Sequence, residues 1–166
     1  MHYVKYNDFF MLKLYLLFFG FTNVFFFAQI TAKVVGIKDG DTIVILEDGN
    51  KTKTLRLAEV DCPESGQPFG KNAKKFTSDC VFGKMIKYYE INSDRYGRTI
   101  AKVYFDDKYL SAEIIANGFG WWYEKYSKDY SLKKLQDNAM YNKIGLWQDK
   151  NAISPYEWRQ MNKVNF

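Results

Sequence analysis

Apolar residues along this chain change their spacing several times, and each change marks an element. Residues 43–46 form an unbroken run rich in β-branched side chains, 47–50 carry an Asp-Gly turn signal, and 51–60 alternate polar with apolar. This pattern predicts two antiparallel strands joined by a turn centred near Asp48 and Gly49. The register sets Asp41 opposite Arg56 or Leu57 and brings Asp41 and Asp61 toward one end of the sheet. Residues 31–38 read as a strand ahead of the hairpin, and 84–91 and 98–105 as two more behind it. Ala73, Phe76 and Cys80 recur at helical spacing and predict a helix over 70–80 that packs Phe76 on the strands. A short helix over 112–116 stops at Asn117-Gly118, and a longer one over 131–144 is capped by Ser131 and ended by Gly145. Residues 149–166 are expected to be a tail that wraps the body or trails off.

Five short strands with about three helices fit a β-barrel plus α architecture, a five-stranded barrel of the OB-fold type, better than a parallel sheet. A single domain over 31–148 accounts for the length. Residues 9–27 are almost continuously apolar and have no place in such a core. Met11, Lys13 and the run behind them have the shape of a signal peptide, so residues 1–28 are expected to direct the domain to the cell envelope or outside the cell. The small residues wanted before a cut are poorly met, since Ala28 has Phe26 two positions before it and Ala32 has Ile30. An uncut segment would be an N-terminal membrane anchor.

The formal net charge is +5. Removing 1–28 takes away only Lys5, Lys13 and Asp8, so the basic excess belongs to the domain. With 19% aromatic residues, it suits a polyanion whose bases stack on rings, although a basic surface alone is common. The single histidine, His2, lies in the leader. The domain therefore works without imidazole, which excludes Ser-His-Asp triads, HExxH zinc sites and histidine phosphodiesterases. Cys62 and Cys80 alone cannot make a four-ligand zinc site, and Cys62 lacks a base to activate it as a nucleophile.

What remains is a crowd of carboxylates between Asp39 and Glu64. Such groups repel unless a cation or a function holds them together, and their hard oxygens suit Ca²⁺ or Mg²⁺. An EF-hand loop is excluded, because Ile43 follows Asp39 and Asp41 where a ligand is needed and no glycine sits at the sixth position. Taken singly, Asp39 and Asp41 are ordinary turn formers and Arg56 an ordinary strand residue. Ideal alternation puts Arg56 and Asp61 on opposite faces, so a common site requires the strand to end or bulge near Val60.

The ordered motifs DGDT from Asp39, RLAEVDCPE from Arg56 and DRYGR from Asp94, with GFGWWYEKY and GLW behind them, resemble the staphylococcal nuclease (thermonuclease) family over about residues 31–148. The resemblance implies an OB-fold barrel that hydrolyses single- or double-stranded DNA and RNA with Ca²⁺, leaving 3′-phosphates, and acts as a monomer. It implies Asp41, Asp61 and the backbone carbonyl of Cys62 as metal ligands, and Glu64 as general base. Arg56 and Arg98 would be the phosphate-binding arginines, Arg95 and Tyr96 would contact a terminal phosphate, and Tyr123 and Tyr126 would line the substrate pocket. Glu124 stands where the family has a second pocket tyrosine. The competing reading is a catalytically inactive OB-fold module that binds nucleic acid without cutting it.

Overall fold

A computed structural model describes residues 28–163. The expected leader falls almost wholly outside them. Among the described residues no helix is long and apolar enough to cross a membrane.

Five strands close into a barrel: β1 (Ile30–Asp39), β2 (Thr42–Leu46), β3 (Thr52–Leu57), β5 (Met85–Ser93) and β6 (Thr99–Phe105). Their order is β3-β2-β1-β5-β6, with β6 returning to pair in parallel with β3 through Leu55, Arg56 and Leu57. β1 serves two neighbours by bending. Its register with β2 slips between Val34 and Gly36 and again between Ile37 and Asp39, and its first residues pair with β5 instead. Bulges of this kind tighten the twist that closure requires. Alternate residues point inward and meet in one core of Val34, Ile43, Ile45, Leu55, Leu57, Ile86 and Val103, each at most 1% exposed. Each such side chain contributes about 1.5–3 kcal/mol by leaving water.

Two-residue strands add to the rim. β7 (Lys108–Tyr109) pairs with β6, while β4 (Val60–Asp61) and β8 (Trp121–Trp122) form a separate pair. Four α-helices accompany the barrel, in keeping with the expected barrel plus helices: α1 (Gly70–Val81), α2 (Leu110–Ala116), α3 (Tyr130–Tyr141) and α4 (Pro155–Lys163). The buried stripe of α1 is Gly70, Ala73, Thr77 and Val81. Phe76 lies at its edge, half-buried against the core as its spacing predicts, and stacks on Phe119 with centroids 4.7 Å apart. α3 is capped by Asp129, which accepts from the Ser131 N–H, and not by Ser131. It ends at Tyr141, short of the expected Ile144. α4 lies within the segment expected to be a tail.

The hairpin register is as the alternation demands. Thr42 faces Arg56, and the Leu57 N–H donates to the Asp41 carbonyl at 2.8 Å. The turn is a single 3₁₀ turn at Asp48–Asn50, longer than a two-residue loop, with Gly49 and Asn50 both at positive φ.

Candidate active site

The site sits where β1, β3 and β4 end. Gly40 and Asp41 turn the chain from β1 into β2, and the turn is pressed against the body. A Cβ on Gly40 would lie 2.8 Å from the Cβ atoms of both Ala73 and Cys62, so only glycine fits. This contact sets the Asp41 carboxylate on the Cys62 backbone, whose N–H donates to Oδ2 at 2.7 Å.

β3 stops at Leu57, and Glu59 takes a positive φ of 67° before β4 restarts at Val60. The interruption supplies the phase change that a shared site for Arg56 and Asp61 requires. Arg56 holds it closed: Nη1 donates to the carbonyls of Leu57 and Val60 at 2.7 and 2.8 Å. Nη2 bridges Asp41 Oδ2 at 3.2 Å and Asp61 Oδ1 at 3.0 Å. The Arg56 side chain is only 12% exposed. Burial opposes its charge, but Asp41 and Asp61 outweigh burial and hold it protonated. Asp61 is 4% exposed, fixed by the β4–β8 pair beside Trp121. Burial, with Asp41 adding to it, lifts its carboxyl above the ordinary range despite two arginines. Burial is the larger cause at Asp61, and the crowding of carboxylates adds to it.

Glu64 follows in the loop before α1. Its N–H donates to Gln67 Oε1 at 3.1 Å, and the loop is tied back by Ser65, whose hydroxyl donates to Asp39 at 2.6 Å. Asp39 therefore clamps two loops together. Glu64 Oε1 accepts from Arg159 Nη1 at 2.6 Å, and Arg159 Nη2 pairs with Asp61 Oδ2 at 2.8 Å. Sequence reasoning did not find Arg159, which comes from α4.

Arg98 stands just before β6. Its Nε donates to Asp94 at 2.7 Å, and Nη1 reaches the Thr42 hydroxyl at 3.5 Å. That hydroxyl in turn donates to Asp41 Oδ1 at 3.1 Å. Asp94, a second residue without an expected role, also accepts from the Tyr96 and Arg98 backbone N–H groups and so fixes the turn. Arg95 and Tyr96 occupy that turn. Tyr96 is 69% exposed, with the Arg95 and Arg98 guanidiniums 4.8 and 5.6 Å from its ring centroid.

Tyr123 follows β8, its N–H donating to the Glu59 carbonyl. Burial first, and then the Asp61 charge, push its hydroxyl pKa up, so it stays a proton donor at the edge of the site. Tyr126 meets Tyr123 edge-on at 4.8 Å and is largely exposed. Trp122, by contrast, belongs to the core. Cys62 is a buried thiol whose pKa is raised well above the usual value by burial and by Asp41, which disfavours the thiolate that nucleophilic work would need.

The structure thus gathers Asp41, Arg56 and Asp61 directly, Glu64 through Arg159, and Arg98 through Thr42. Among the described residues, no group of three or more His, Cys, Asp or Glu side chains is arranged to hold a metal. The expected set has only two such side chains, completed by main chain. Its chemistry fits a hard divalent cation: two buried carboxylates share one nitrogen neighbour, and every donor is oxygen.

The family model described as "Staphylococcal nuclease homologue" matches residues 54–149. An "Uncharacterized endonuclease" of Haemophilus influenzae is 43% identical over 135 residues, spanning 81% of this chain and 76% of its own. A "Micrococcal nuclease" of Shigella flexneri is 36% identical over 147 residues, spanning 82% and 84%. "Protein ParB" of Escherichia coli is 31% identical over 144 residues, spanning 80% and 81%. With its barrel closed by β3 and β6 and these matches along most of its length, the chain belongs to the staphylococcal nuclease family.

Proposed function

We propose that this nuclease, a hydrolase of phosphodiester bonds, requires Ca²⁺ and cuts DNA and RNA to products ending in 3′-phosphates. The observation that carries the reading is the convergence of Asp41 and Asp61 on a single Arg56 nitrogen, with Glu64 in the adjoining loop. Asp41, Asp61 and the Cys62 carbonyl would hold the ion. When bound, it supplies positive charge against the diester anion.

The chain's own groups do the rest. Glu64 accepts the proton of the attacking water, and its loop position beside Asp61 lets it face the same phosphate. Arg98 offers a planar fork to the equatorial phosphate oxygens, and its Asp94 bond holds that fork in one plane. Arg56 keeps its charge beside the reacting group while locking the turn that aims Asp61. Arg95 and Tyr96 meet a terminal phosphate, and the half-buried Tyr123 and the exposed ring of Tyr126 take a base or sugar face. The segment 1–28 would carry the enzyme, working as a monomer, to the cell envelope or beyond it.

Degradation of single-stranded DNA in Ca²⁺ and in EGTA, with end-group analysis of the products, tests this. Chelation should abolish cutting, and Glu64→Gln and Arg98→Ala should each lose roughly 10²-fold or more in rate. Undiminished cutting in EGTA would remove the ion from the scheme, and undiminished cutting by both variants would remove the residue roles.

A further inference from the structure

We propose that α4 is a built-in plug: Arg159 covers Asp61 and Glu64, and divalent cation enters the site only as this helix swings away. The inference rests on the reading of Asp61 as an ion ligand. It concerns a part of the chain beyond the family match, which ends at residue 149.

Charge counting shows the conflict. Asp41, Asp61 and Glu64 bring three negative charges, and Arg56 and Arg159 return two positive ones. Arg56 belongs to the fold, bonded to two main-chain carbonyls of the β3–β4 turn. Among the described residues Arg159 pairs with Asp61 and Glu64 at 2.8 and 2.6 Å, with a further long contact to Asp61 Oδ1 at 3.5 Å. A guanidinium on those oxygens and an ion needing Asp61 exclude each other. The same guanidinium engages Glu64 Oε1, an oxygen that would take a proton from water.

The helix is built to leave. Of its residues whose burial is described, only Pro155 is buried, and Tyr156 and Met161 are more than half exposed. Nine residues are too few for a helix to persist alone in water. Its first turn is nevertheless secured by a reciprocal cap, in which Glu157 accepts from the Ser154 N–H and hydroxyl and the Glu157 N–H donates back to Ser154. Just before it, Gln67 donates to the Ile153 carbonyl at 2.6 Å. The root is therefore pinned, and beyond it the helix carries Arg159, whose side chain is 36% exposed and open to displacement by ions from solvent.

The test measures Ca²⁺ binding by calorimetry, with no nucleic acid present, and amide hydrogen exchange over 155–163, for the full-length wild type, Arg159→Gln and Arg159→Lys. Arg159→Gln should bind Ca²⁺ about tenfold more tightly, because the ion no longer pays to free its ligands. Arg159→Lys, with one ammonium for two carboxylates, should fall between. In the wild type, Ca²⁺ should speed exchange in α4; in Arg159→Gln, exchange should already be fast without it. Equal Ca²⁺ affinity in all three chains, with α4 exchange indifferent to the ion, overturns the plug while leaving the ion site standing. Weaker binding in Arg159→Gln overturns it too, and would make Arg159 a supporting group. No Ca²⁺ binding by any chain overturns both the plug and the ion reading.

Discussion

Replacing Arg56 by alanine should destabilise the protein far more than removal of a surface arginine. Its guanidinium bridges two carboxylates whose side chains are 9% and 6% exposed and bonds two carbonyls of the β3–β4 turn. Truncation leaves two buried negative charges facing one another and two carbonyls unsatisfied. Removing one partner of a buried pair costs about 3–5 kcal/mol, and the orphaned carbonyls push toward the upper end. For a domain of this size that is a fall of about 10–20 °C in Tm. Urea and thermal unfolding followed by circular dichroism would measure it, in EGTA so that bound ion adds nothing to the native state. Adding Asp41→Asn to Arg56→Ala should recover about 1–2 kcal/mol, since Arg56 is the cation paired with Asp41 whereas Asp61 keeps Arg159. A Tm within about 3 °C of wild type would show that the bridge is not formed in solution and that Arg56 serves substrate alone.

Two further outcomes follow from the geometry. Burial pulls the Asp94 carboxyl up, but bonds from the Arg98 N–H, the Arg98 guanidinium and the Tyr96 N–H pull it down further, leaving it below the ordinary value. Its contribution is therefore present above the unfolded pKa and lost as pH falls through the folded one. Asp94→Ala should cost about 1–2 kcal/mol at neutral pH and nearly nothing in strong acid, and by releasing Arg98 it should slow turnover; a stability gap unchanged down to acid pH would refute this. Gly40→Ala should cost about 1–3 kcal/mol from overpacking and weaken Ca²⁺ binding by displacing Asp41, both read from calorimetry; wild-type values for both would contradict the close approach.

Much of the fold was legible because single residues carried unambiguous signals. The β-branched run, the Asp-Gly turn and the alternation to Val60 settled the hairpin and narrowed the partner of Asp41 to Arg56 or Leu57, between which the fold chooses Leu57. The demand for a break between Arg56 and Asp61 was also readable, but not its form: Glu59 takes a positive φ with no glycine or asparagine to announce it, under tertiary pressure from Arg56. The cap of α3 was missed because Asp129 and Ser131 are both good capping residues two positions apart, and only geometry chooses between acceptor and donor. Arg159 was invisible for a different reason. Its partners lie 95 and 98 residues away, a distance no local pattern spans. The helix that carries it could have been read: Ser154, Pro155 and Glu157 spell a capped helix start.

The parallel return of β6 onto β3 has a bearing on when the enzyme becomes dangerous to its own cell. Arg98, just before β6, is brought to the rim that carries Arg56 by that seam, which joins sequence-distant segments and forms slowly in a chain of this kind. Until it zips, Arg98 is not held against the Thr42 hydroxyl that links it to Asp41. An emerging or unfolded polypeptide carries every residue of the nuclease and none of its cutting power.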